Sequence, residues 1–98
     1  MREKPFQDDV IKWLNGHKVY HIRTQMGEKS GIPDILCCMF GKFVGLELKR
    51  PDKKGKPTLQ QIKICNDINI NGGVGIFIDS INKLELLYNQ LKEEENRG

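Results

Sequence analysis

Ile35-Leu36-Cys37-Cys38-Met39-Phe40-Gly41-Lys42-Phe43-Val44-Gly45-Leu46-Glu47-Leu48-Lys49 is the stretch on which the fold turns. Ile35–Phe40 is apolar without alternation, which predicts a strand covered on both faces. Gly41-Lys42 predicts a two-residue hairpin turn, and Phe43–Lys49 is its return strand. A hairpin centred there sets Asp34 opposite Lys49, with Glu47 diagonally across near Leu36. Glu47 and Lys49 are two apart and share a face. Two carboxylates and an ammonium at one end of a hairpin are costly unless something binds there. Hard oxygen ligands favour Mg²⁺ or Mn²⁺. Lys49 is then placed to position or help deprotonate a water, and the metal to stabilise charge developing at phosphorus. Each residue alone has a plainer reading: Pro33-Asp34 as a turn, and Glu47 with Lys49 as a surface ion pair on an edge strand.

Outward from the hairpin, Phe6, Val10, Trp13 and Leu14 make one helical stripe. Pro5 suits its first turn, and Asn15-Gly16 its stop. Lys18–Arg23 reads as a strand and Gly27–Gly31 as a loop. Downstream, Thr58 is placed to cap a helix running to about Asn71, with Ile62, Cys65 and Ile68 facing inward. Gly72-Gly73 ends it, and Val74–Ile78 is a buried strand. Ser80 caps a last helix carrying Leu84, Leu87, Tyr88 and Leu91 on one face. Residues 93–98, three Glu followed by Asn96, Arg97 and Gly98, read as a fraying tail. The order is α-β-β-β-α-β-α, an α/β chain with a small mixed sheet flanked by helices. The helix before the last strand implies a right-handed parallel crossover. Residues 1–98 read as a single domain.

Composition is globular: 98 residues, 38% hydrophobic and 30% charged, with a net charge of +3. No apolar run is long enough to span a bilayer, and the start lacks the apolar stretch of a signal peptide. Three cysteines, two of them adjacent, suit no disulfide framework and suggest a reducing, cytosolic setting. Charge is uneven, with 12 basic and 7 acidic residues in 1–57 against 4 and 6 in 58–98. Five of the bases, Lys49, Arg50, Lys53, Lys54 and Lys56, cluster around a single acid, Asp52. This run is either a solvated loop or a loop that contacts phosphates. His17 and His21 with Cys37 and Cys38 give no zinc spacing. Cys65 reads as helix core, and Trp13 as core or a base-stacking side chain.

Ser30-Gly31-Ile32-Pro33-Asp34-Ile35 followed by Glu47-Leu48-Lys49-Arg50-Pro51 resembles the PD-(D/E)xK nuclease signature. More narrowly it resembles the VRR-NUC family, the virus-type replication-repair nuclease domains. Gln61, eleven residues before Gly72-Gly73, matches the family's helix glutamine, and Glu3 its early acid. The similarity runs from Glu3 to about Ile78. It implies a restriction-endonuclease-like fold that hydrolyses phosphodiester bonds with Mg²⁺ or Mn²⁺. Asp34 and Glu47 would be metal ligands, with the Leu48 carbonyl as a third oxygen and Glu3 as an outlying candidate. Lys49 would orient the water, and Gln61 would support the water or a nearby phosphate. Arg50, Lys53, Lys54 and Lys56 would hold the backbone of the DNA.

The expected activity is a structure-selective DNA endonuclease, similar to Holliday junction resolvases. A flap or nicking repair endonuclease and a catalytically silent nucleic-acid-binding module on the same fold are the alternatives. A subunit-interaction domain would leave the basic loop unexplained. No recognition helix stands out, so sequence-specific restriction is not expected. A homodimer that pairs two sites for a branched substrate is expected, its contact drawn from the first or last helix. The location expected is cytoplasmic, in the host cell if the chain is phage-encoded.

Overall fold

The computed structural model describes residues 4–24, 31–49 and 56–97. The elements follow the expected order: α1 (Lys4–Gly16), β1 (Tyr20–Arg23), β2 (Ile35–Met39), β3 (Lys42–Leu48), α2 (Leu59–Ile70), β4 (Val74–Ile78) and α3 (Ile81–Arg97). The four strands lie in the order β1-β2-β3-β4. The first three are antiparallel neighbours, and β4 joins β3 in parallel after the α2 crossover. Among the described residues no helix is long and apolar enough to cross a membrane.

The core fills one face of the sheet. Ile35, Cys37 and Met39 on β2 share that face with Val44, Leu46 and Leu48 on β3 and Ile78 on β4. Phe6, Val10 and Leu14 of α1 and Leu84, Leu87 and Leu91 of α3 close over them. Both helices place apolar residues every third or fourth position, so each presents one apolar stripe. Ser80 starts α3 as expected, its Oγ accepting from the Lys83 N–H at 3.2 Å.

Three expectations are corrected here. The turn between β2 and β3 is Phe40-Gly41, with φ of 51° and 82°, not Gly41-Lys42. Two consecutive positive φ values make a hairpin-favoring turn. Phe40 reads as strand because it is apolar, and it bears an unfavourable backbone conformation with its ring packed 5.0 Å from that of Tyr88. The register therefore moves by two: Ile35 pairs with Leu46 and Met39 with Lys42. One step further, Asp34 comes level with Glu47 rather than Lys49.

The second correction concerns residues 93–97, which continue α3 instead of fraying. Leu91 is buried and anchors the preceding turn. Glu93 and Arg97 pair at 3.3 Å across one turn, and a base in the last turn suits the helix dipole. The third concerns β2, which is covered on one face only. Its burial alternates, and Cys38 is exposed. The uncovered positions escape notice in the sequence because they too are apolar.

Candidate active site

The second face of the sheet carries the expected site, and α2 packs on it over β3 and β4. The helix comes close because the strands beneath it lack side chains. A Cβ on Gly75 would lie 2.6 Å from the Cys65 carbonyl oxygen, closer than such atoms approach. One on Gly45 would lie 2.9 Å from Pro33 and 3.0 Å from Ile68. The next positions along β3 on this face are Glu47 and Lys49, beside the N-terminal half of α2.

The segment Gly31-Ile32-Pro33 delivers Asp34 to the same place. Gly31 has φ of 73°, open to glycine at little cost, and a Cβ there would run into the Gln60 side chain of α2. Pro33 is buried against Gly45. Thr24 extends the β1 pairing by one residue: its N–H donates to the Asp34 carbonyl at 3.0 Å, and its Oγ1 to the Pro33 carbonyl at 2.7 Å. Thr24 thus fixes the backbone of the acid, a role that only the register discloses.

Asp34 Oδ2 accepts from the Leu48 N–H at 2.8 Å. The Lys49 N–H is turned to β4, where it donates to the Ile78 carbonyl at 2.8 Å. Successive residues of a strand alternate in this direction, so both main-chain groups of Leu48 face the Asp34 side. The Leu48 carbonyl therefore opens toward the carboxylate that holds its N–H. Asp34 Oδ1 takes no part in any hydrogen bond among the described residues. Glu47, one step from Leu48, is 2% exposed.

Lys49 is held from two sides. Its Nζ donates to Gln61 Oε1 at 2.9 Å and lies 5.6 Å from the centre of the Phe77 ring. Gln61 is itself fixed by a reciprocal cap at the start of α2. Its Oε1 also accepts from the Thr58 N–H at 3.0 Å, while its N–H donates to Thr58 Oγ1 at 3.1 Å. The inward position expected for Ile62 is thus taken by Gln61, which is buried, whereas Ile62 is 39% exposed. Polar partners on both sides explain why a glutamine replaces an apolar residue there.

Cys65, one turn further along α2, is buried as expected but is not electrostatically inert. Burial pushes its thiol up, the charge of Glu47 pushes the same way, and Lys49 opposes. Glu47 and Lys49 therefore lie within electrostatic reach of Cys65.

The structure brings together Asp34, Glu47, Leu48, Lys49 and Gln61. Lys56 is exposed just ahead of α2. Glu3, Arg50, Lys53 and Lys54 lie outside the described residues. Among the described residues no three His, Cys, Asp or Glu side chains gather as a metal-binding group. An ion here would rely on two carboxylates and the Leu48 carbonyl, an all-oxygen set suited to Mg²⁺ or Mn²⁺. Comparison with known proteins adds nothing to this geometry: no family model, no curated protein and no solved structure matches the chain.

Proposed function

We propose that the chain is a divalent-metal-dependent DNA endonuclease of the PD-(D/E)xK type, acting on branched DNA. The observation that carries this reading is the convergence at one end of β3. Asp34 is tied to Leu48 and level with Glu47, and Lys49 is aimed by Gln61 from the cap of α2. Asp34, Glu47 and the Leu48 carbonyl would hold Mg²⁺ or Mn²⁺. The bound ion would supply Lewis-acid activation and neutralise phosphoryl charge. Lys49 orients the attacking water and stabilises developing negative charge. Gln61 Oε1 is already engaged twice, so its part is to position Lys49 rather than to hold the water. Lys56 adds a sequence-independent phosphate contact.

A catalytically silent binding module would have little use for two carboxylates on the surface that meets phosphate. A homodimer with both sites on one side would suit a four-way junction. The runner-up substrate is a flap or nicked duplex. One cleavage experiment tests the whole reading. Four-way junction, flap, splayed arm and plain duplex are incubated with Mg²⁺, with Mn²⁺ and with EDTA. Cleavage with either metal and none in EDTA is expected, with the junction cut at paired positions near the branch. Undiminished cutting in EDTA, or none of any substrate with either metal, overturns it.

A further inference from the structure

The geometry points to a base-stacking platform on the open part of the candidate site's sheet face, formed by Tyr20 and Phe43 and serving an unpaired DNA strand. This rests on the nuclease reading and names the kind of strand its site receives. Tyr20 pairs with Cys38, and Cys38 with Phe43, so the three residues form a row across β1, β2 and β3. The row lies on the face of Gly45 and Glu47, since Phe43 is two and four residues from them. α2 packs over β3 and β4 and borders the row at Phe43, where its Asp67 and Ile68 line a shared hollow. Tyr20 is 70% exposed and Phe43 53%, with Ile22 beside them at 50%.

Spacing suits bases. Two strand intervals separate the rings by about 9.5 Å, and Phe43 lies about 13 Å along the strand from Glu47. A strand crossing the two rings would reach the carboxylates within a few nucleotides. Aromatic side chains on an open four-stranded sheet are a recurrent way to hold unpaired bases, and their stacking tolerates any sequence. Beside Phe43 a hollow of about 380 Å³ opens, lined also by Asp67, Ile68, Asn71 and Gly73. It gives a base on that ring room at its edge.

The size of the patch favours a nucleic acid over a second copy of the chain. Lys18, two residues before Tyr20, is exposed. Asp67, which lines the hollow, is already paired with Lys63 at 3.0 Å. Two partly exposed aromatics and one isoleucine offer only roughly 300 Å². A pair of such patches would bury about 600 Å², short of the ~1,000 Å² of a stable dimer.

The test is fluorescence anisotropy with a labelled twelve-nucleotide single strand and a labelled duplex of the same length. It compares the full chain with Tyr20→Ala, Tyr20→Phe and Phe43→Ala, all in EDTA so that nothing is cut. Both positions are exposed, and thermal melts confirm that the variants fold. Each alanine variant should weaken single-strand binding at least about fivefold and leave duplex binding within twofold. Tyr20→Phe should bind as the original does. These results support the platform whether or not the protein cuts DNA with Mg²⁺, which separates its fate from that of the nuclease reading. Unchanged single-strand binding in both alanine variants overturns the platform. So does light scattering that shows the original chain dimeric and both alanine variants monomeric, since a second copy would then own the face.

Discussion

The sheet has one face built for density and another built for approach. On the first, Val10, Leu14, Ile35, Met39, Val44, Leu46, Ile78 and Leu84 are no more than 1% exposed, and apolar surface meets apolar surface throughout. On the second, glycines draw α2 close, Glu47 and Gln61 are buried, and the row from Tyr20 to Phe43 stays open. Leu46 and Glu47 are neighbours in the chain, 0% and 2% exposed, yet Leu46 faces the apolar core and Glu47 faces the side of the proposed site. Burial alone therefore says little about purpose. The polarity of the group and what surrounds it decide.

That contrast breaks most sharply with paired substitutions at these two neighbours. Glu47→Ala should lower single-turnover cleavage by roughly 10³-fold, the scale of losing a main electrostatic contributor to the transition state. Its unfolding free energy should stay within about 1 kcal/mol of the original or rise, because the substitution relieves the repulsion between two neighbouring carboxylates, Asp34 and Glu47. Leu46→Ala should do the reverse, losing roughly 3 kcal/mol of stability through cavity formation. It should retain cleavage at temperatures where it stays folded. Urea denaturation and cleavage on the same preparations read both. An unstable, active Glu47→Ala protein would mean that the acid is structural and the two faces follow one rule.

The element order was legible because each element carries its own punctuation. Pro5, Thr58 and Ser80 mark helix starts, and Gly72-Gly73 a stop. The pairing of Glu47 with Lys49 on one face needed only the period of two. What stayed hidden depended on register and on contacts across elements. Phe40 looks like strand because its side chain is apolar; that its backbone turns shows only in its φ of 51°, with its ring set against Tyr88. Once the turn moves, Asp34 slides two residues along β3, from Lys49 to Glu47, and the Leu48 N–H becomes its partner. Gln61 was marked as a candidate site residue through the resemblance to VRR-NUC domains. Its double duty as helix cap and lysine anchor was not, since that depends on where Lys49 comes to lie. Thr24 and Phe77 carry no motif at all.

Close approach on the second face offers a gentler test. Gly75→Ala places a methyl 2.6 Å from the Cys65 carbonyl oxygen, which is backbone and cannot swing aside. α2 must lift, at a cost of about 2 kcal/mol by the scale of overpacked positions. Lifting α2 also pulls Gln61 from Lys49, so cleavage should fall by more than folding explains. Metal binding by calorimetry should change little, because Asp34, Glu47 and Leu48 all belong to the sheet side. Equal losses in metal affinity and rate would show that α2 shapes the carboxylate pair as well as the lysine.

The smallest expected effect comes from Cys37, which faces the dense side at 5% exposure. Burial pushes its thiol up to about 12, with the charge of neighbouring Cys38 adding to the rise. A thiol in the unfolded chain ionises near 8.5. Between that pH and about 12 the unfolded chain sheds a proton that the folded chain keeps, so folding binds protons and stability falls as pH rises. The contribution is fully present below pH 8.5 and is lost progressively above it, by up to ~1.4 kcal/mol per pH unit. From pH 8 to pH 10 the original chain should lose about 1–2 kcal/mol more than Cys37→Val, whose side chain has similar bulk and no proton to give. Measuring the difference between the two chains cancels every other group that titrates in this range. Equal losses in both would mean that the Cys37 thiol reaches water in the folded protein. The dense face would then open on the timescale of the measurement, and the contrast with the α2 face would be one of chemistry rather than of packing.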